Sequence, residues 1–195
     1  MKGKIIFLVF VVILAVFLSK SALVIDKGTE GQYTGVVAFD AQASSGSDWE
    51  KIVAEITGNA KEVKDLNLSS LGAGVAIKVK GTVSDYISQA NGRKNSLVIV
   101  PEGYTGGMKF TVQLGSIYSG TAVRDIQTVK SCGDFTNQTE WSQYAKALNS
   151  QLDKSTVAPL ALDVNVKGRT VSIIGAATSS GSNVTITPVA ISIAD

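Results

Sequence analysis

The sequence predicts an α+β fold: a small, mostly antiparallel β-barrel with a small helical subdomain and one amphipathic helix between its strands. Three observations predict it. From Val75 onward, apolar residues recur with a period of two in short runs separated by Gly-, Asn- and Pro-bearing turns, and with one earlier run these make about six or seven strands. A single amphipathic run over residues 138–153 interrupts that series. The last run carries Val184 and Ile186 in one phase and Val189, Ile191 and Ile193 in the other, so Thr187-Pro188 should form a bulge or bend. A curled sheet interrupted by one helix is the pattern of an oligonucleotide/oligosaccharide-binding (OB-like) barrel.

The elements follow in chain order. Lys2 and Lys4 precede an unbroken apolar run, Ile5 to Leu18, followed by Ser19-Lys20-Ser21-Ala22 and Leu23-Val24-Ile25. This pattern suits a secretory signal, with small residues at Ser19 and Ser21. It also suits an uncleaved anchor, since Ile5 to Ile25 is long enough to cross a bilayer with Lys20 snorkelling to the interface. Either reading exports the body and places residues 1–25 at a membrane. Residues 26–34 read as a polar linker. Residues 35–74 read as a first strand, Gly35-Val-Val-Ala-Phe39, and a small helical part.

Within that part, Ser47-Asp-Trp-Glu50 has the capping-box pattern, and Trp49, Ile52, Val53 and Ile56 follow at helical spacing up to Gly58-Asn59. A weaker helical signal covers Ala60 to Leu71. Residues 75–195 carry the barrel. Val75, Ile77 and Val79 alternate with Ala76, Lys78 and Lys80, as in a half-buried strand. Asn91-Gly92 marks a tight turn. Ser96 to Val100 is apolar on both faces, Gly103 to Gly107 is a hairpin loop, and Phe110, Val112 and Leu114 alternate again. A further strand is expected over Ile117 to Val123. Asn137-Gln-Thr-Glu140 offers a second capping box before Trp141, Tyr144, Ala145, Leu148 and Leu152, which share a helix face. Val164 with Val166, Val171 with Ile173, and the last run complete the strands.

Composition limits the chemistry. The chain has 195 residues, 45% hydrophobic and 17% charged, which suits a folded body with its own core. Its formal charge of +2 comes from the N-terminal segment: without Lys2, Lys4 and Lys20, 15 basic residues face 16 acidic ones. No basic face is forced, so no nucleic acid is expected as a partner. With no histidine, the common triads and imidazole metal sites are absent, and no nucleotide-binding glycine loop occurs. No metal, cofactor or catalytic residue is expected. Cys132 is the only cysteine; it cannot form an internal disulfide and reads as a small buried residue.

Six segments together carry a resemblance. They are Phe39-Asp-Ala-Gln42, Gly120-Thr-Ala-Val-Arg-Asp125, Asp134-Phe-Thr-Asn-Gln138, Val157-Ala-Pro-Leu160, Gly168-Arg-Thr-Val-Ser-Ile-Ile-Gly175 and Ile186-Thr-Pro-Val189. Across the exported body the chain resembles a domain-of-unknown-function family described as predicted periplasmic lipoproteins. The resemblance implies an OB-like barrel with a helical subdomain, a genetic setting beside ribose-type sugar ABC importers, and no known reaction. The chain departs from the lipoprotein pattern, because Ser19-Lys20-Ser21-Ala22 stands where a lipidated cysteine is expected.

Asp40, Arg124, Asp125, Asn137 and Gln138 form the candidate polar cluster. If Arg124 and Asp125 lie on a strand, their side chains face opposite ways, and the inward one needs a buried partner from among the others. Such a cluster is either a network that fixes the barrel against the helix or a pocket in which Arg124 holds a carboxylate or sugar hydroxyls. Trp49 and Trp141 could stack on a sugar, but on amphipathic helices they read as core. The leading functional expectation is a non-catalytic, membrane-tethered envelope protein accessory to a sugar ABC transporter. The alternative is a small-ligand or carbohydrate-binding module on the barrel face, and an enzyme would need two close carboxylates in a cleft.

Overall fold

A computed structural model of the chain describes residues 38–194. The apolar N-terminal run and the linker lie outside these residues, as does most of the strand expected over 35–39. Ala38 and Phe39 are described, and neither lies in a strand. Among the described residues no helix is long and apolar enough to cross a membrane.

Helix α1 spans Ala41–Asn59 and starts about two turns before the expected point. Asp40 is its N-cap, its carboxylate accepting from the backbone N–H groups of Gln42 and Ala43. Ser47 therefore sits inside the helix, where its hydroxyl donates to the Ser44 carbonyl. Trp49, Ile52 and Ile56 form the buried stripe. The second expected helix is absent. Lys61–Glu62 instead forms β1, a two-residue strand, followed by a 3-10 turn over Val63–Asp65. Leu68 and Leu71 are buried there without helical structure, and the Ser179 hydroxyl accepts the Leu71 N–H.

Five strands then close a barrel. They are β2 (Val75–Gln89), β3 (Lys94–Pro101), β4 (Lys109–Leu114), β5 (Thr170–Ser180) and β6 (Asn183–Ile193). The sheet order is β1-β2-β3-β4-β6-β5, and β2 pairs again with β5. All pairs in the ring are antiparallel except β4 with β6. Alternating residues such as Val79, Val83, Leu97, Ile99, Phe110, Val112, Val171, Ile173, Val184 and Ile186 are buried in the barrel's interior. Val100, expected to be covered, is 57% exposed.

The long strand β2 makes closure possible. Its first part, Val75 to Thr82, runs beside β5, and its second part, Gly81 to Gln89, runs beside β3. The change of partner falls at Gly81, where an added Cβ would lie 2.4 Å from the Val100 carbonyl oxygen. Gly175 repeats the arrangement on β5, with its added Cβ 2.4 Å from the Thr187 oxygen and 2.8 Å from Pro188 Cα. The expected irregularity is present here. Ile174 pairs with Ala190 and Gly175 with Pro188, leaving Val189 as the extra residue of a bulge.

Three further expectations are corrected. Ile117 to Val123 is not a strand, because Gln113 holds it as a loop: its side-chain amide donates to the Ser119 carbonyl, and its amide oxygen accepts the Ser119 N–H. Val164–Val166 is a 3-10 turn, capped by the Asp163 carboxylate accepting the Asn165 N–H. Cys132 is exposed, at the start of a 3-10 turn over Cys132–Asp134. Two further helices complete the fold, α2 (Ala122–Ile126) and α3 (Gln138–Leu152), the latter capped by Asn137. Helix α1 packs against α3 and against β2 and β5.

The glycine contacts give a direct test. Gly81→Ala and Gly175→Ala should each destabilise the fold by about 1–3 kcal/mol, since the obstructing atoms are backbone and cannot rotate away. Gly46→Ala, in α1 with open space around its added Cβ, should stabilise by about 0.5–1 kcal/mol. Urea denaturation of the three variants measures both signs.

Candidate functional site

The five predicted residues do not converge. Arg124 and Asp125 sit on the short helix α2, not on a strand, and a helix lets the long arginine fold back onto its neighbour. Arg124 Nη2 lies 2.6 Å from Asp125 Oδ1, and Nε lies 2.8 Å from the same oxygen. The Thr121 hydroxyl donates to Asp125 Oδ2 at 2.6 Å. The expectation that these two residues cannot be partners is therefore corrected. Asp40 and Asn137 are spent on helix caps, and Gln138 is exposed in the first turn of α3. None of the three bonds to Arg124.

Aromatic rings surround the pair instead. The guanidinium lies over the Trp141 ring, 4.6 Å from its centroid. Trp141 stacks on Tyr144, and Phe135 contacts both rings at 5.1 Å. The buried Tyr144 hydroxyl donates to Asp48 Oδ2 at 3.0 Å, which ties α3 to α1. Burial, and next the Asp48 carboxylate, push the Tyr144 hydroxyl well above the usual tyrosine range. The arrangement is a chain of contacts from α2 through α3 to α1. It does what a structural network does.

Two concave surfaces lie elsewhere. The first is a groove of about 570 Å³ on the outside of the barrel, across β2, β5 and β6. Ile174 and Ile191 contribute to its apolar lining. Two ion pairs stand at it, Lys78 with Glu62 at 3.8 Å and Lys80 with Glu102 at 3.0 Å. All four side chains are about half exposed, so these pairs contribute little stability. They leave the groove neutral.

The second is a cleft of about 330 Å³ with a mixed polar and apolar lining at one end of the barrel, between the β2–β3 turn, the end of β4 and the segment after α3. Asp153 lines it at the start of a π-helical turn, Asp153–Val157. Such turns are rare and recur at functional sites. The Thr156 hydroxyl fixes this one by donating to the carbonyl of the bulge residue Val189. Partial burial raises the Asp153 carboxyl above its ordinary 3.8, opposed by Tyr118. The Tyr118 hydroxyl is buried beside this carboxylate without reaching hydrogen-bond geometry, and burial, then the carboxylate, push it far up.

Arg93, Asn95 and Tyr86 line the same cleft. Asn95 donates to the Gly92 carbonyl at 2.9 Å, while its buried Oδ1 has no partner. The sequence reading passed over all of these residues. One signal could have found Asp153: an acidic residue at a helix C-terminus opposes the helix dipole and invites another explanation.

Both polar regions yield predictions. Tyr144→Phe removes the donor to a buried carboxylate and should cost about 1.5–3 kcal/mol. Arg124→Ala should cost about 1 kcal/mol, the scale of a partly exposed cation–π contact. Chemical denaturation ranks the two. For Asp153, the raised folded value means that the native state holds its proton more tightly than the unfolded chain. Its ionisation therefore costs stability as pH rises from 3.8 through the folded value. Asp153→Asn should melt at a higher temperature than the parent at about pH 7, with the difference shrinking towards about pH 4. Thermal scans at several pH values check it.

Comparisons with known proteins fit this geometry. An OB-fold protein from Thermotoga maritima MSB8 has a similar solved structure, with a TM-score of 0.57 and 14% identity over 80% of this chain and 99% of that one. At that identity the likeness concerns the fold alone. The S. pombe Stn1–Ten1 complex matches at a TM-score of 0.31 and 14% identity, over 61% of this chain and 57% of that one, too loose a likeness to bear on the argument. No curated protein matches the sequence. The model of a family described as predicted periplasmic lipoprotein (DUF2291) matches residues 68–192, from the turn before β2 to the end of β6. The chain thus belongs to that family of predicted periplasmic lipoproteins.

Proposed function

We propose that the protein is a non-catalytic envelope protein, tethered through residues 1–25, that docks its barrel onto a membrane partner, a subunit of a sugar ABC transporter. The observation that carries this reading is the groove across β2, β5 and β6. Its lining is mainly apolar, and its lysines and glutamates are paired, so a covering protein would strand no net charge there. Two features support the tether. The family description places the chain in the periplasm, so the protein is exported and envelope-associated. The only cysteine of the sequence, Cys132, is exposed on the barrel-bearing body and does not follow the apolar run in the sequence, which supports reading that run itself as the tether.

Affinity capture of the full-length protein from its native membranes, followed by mass spectrometry, tests the proposal. Sugar-importer subunits should be enriched with the full chain. They should be lost with a form lacking residues 1–25 and exported by another signal. Ile174→Glu, which puts a charge into the groove, should lose them while the protein stays at the membrane. Absence of any transporter subunit from the full-length capture would remove the reading.

A further inference from the structure

We propose that the cleft at the end of the barrel binds a small neutral polyol, a ring of monosaccharide size with hydroxyls on its edge and C–H groups on its face. The site shares no lining residue with the outer groove, so this inference is independent of the docking reading. A volume of about 330 Å³ lies at the small end of ligand pockets.

Charge selects against ions. Asp153 and Arg93 line the same cleft. Attraction to one group and repulsion from the other tend to cancel for an ion of either sign, so a net charge gains little there, and a neutral molecule meets both groups without repulsion.

Hydrogen-bond bookkeeping then selects hydroxyls. An ionised Asp153 only accepts. Asn95 commits one N–H of its amide to Gly92, and its Oδ1 lacks a donor. The Tyr86 hydroxyl spends its proton on the Leu162 carbonyl at 3.2 Å, leaving lone pairs. Arg93 adds guanidinium donors to these acceptors, so the matching ligand carries groups that both donate and accept, as hydroxyls do. Asn95 Oδ1 is shielded from solvent, and the broad Asn χ2 well lets a small turn of the amide present it to the cleft. Leu114, Val157 and Ala158 supply apolar wall for the C–H face. The π-helical turn that carries Asp153, held by Thr156 on Val189, keeps the site largely preformed.

The test is calorimetric titration of the full-length protein in a polyoxyethylene detergent, which carries no sugar headgroup. The probes are neutral aldopentoses, aldohexoses and inositol, with glucosamine and glucuronate as charged analogues. At least one neutral polyol should bind with a Kd of about 1 mM or tighter. Asp153→Asn and Asn95→Leu should each weaken it by about tenfold or more, a loss of ~1.4 kcal/mol or greater. Arg124→Ala should leave it unchanged. Because Asp153→Asn is expected to stabilise the fold, a lost signal in that variant reports the site and not unfolding. The proposal is overturned if no neutral polyol binds, if a charged analogue binds more tightly, or if binding persists in both cleft variants. Capture of transporter subunits is read separately, so either proposal can fail alone.

Discussion

Everything in this molecule depends on β2 holding two different partners along one strand. A flat strand could not do so. Beside β5 over its first half and β3 over its second, β2 must coil strongly where the partner changes, and the backbones there approach too closely for a side chain. Gly81 meets that constraint on β2, and Gly175, facing Pro188, meets it on β5. Once the ring is closed, the interior fills mainly with β-branched residues around Leu97 and Phe110, and α1 and α3 have a fixed surface to pack on. The Val189 bulge belongs to the same device, because it bends β6 and presents a carbonyl for the π-helical turn to grip.

Regular periodicity made most of the barrel legible. Strands β2, β4 and β5 alternate in sequence as they do in burial, the Asn91-Gly92 turn joins β2 to β3, and the phase change at Thr187-Pro188 marks a real bulge. Helix α3 was visible from its cap and stripe. Errors arose where side chains, not periodicity, decide the backbone. Gln113 bonds both backbone groups of Ser119 and so prevents a strand after β4, and no local pattern announces that. Asp163 turns the apolar pair Val164 and Val166 into a 3-10 turn. The first turns of α1, rich in Ser and Gly, have weak helical propensity, which hid Asp40 as the true cap behind the more conspicuous Ser47.

The candidate site was legible only in part. Arg124 and Asp125 were rightly seen as polar groups needing partners, but the wrong local period put them on opposite faces. On α2 they satisfy each other, and Trp141 covers the arginine. The cleft escaped notice because its residues come from four separated segments, each ordinary by itself. Arg93 and Asn95 lie where the β2–β3 turn enters β3, Tyr86 sits on β2, Leu114 ends β4, and Asp153 follows a helix. Only barrel closure brings them to one end, so tertiary structure creates this chemistry.

The double pairing of β2 also sets an order of events in time. Its contacts with β3 join near neighbours in the chain, whereas Val75 must find Ala177 and Thr82 must find Thr170. Loop-closure entropy makes the second set slow to form. Until the β5–β6 hairpin has been delivered, an emerging chain carries β2 with one open hydrogen-bonding edge and β4 with another. Open edges recruit strands from other chains. The C-terminal hairpin thus acts as the clasp of the barrel, and a chain cut short before Thr170 is an aggregation hazard more than a smaller version of the same protein.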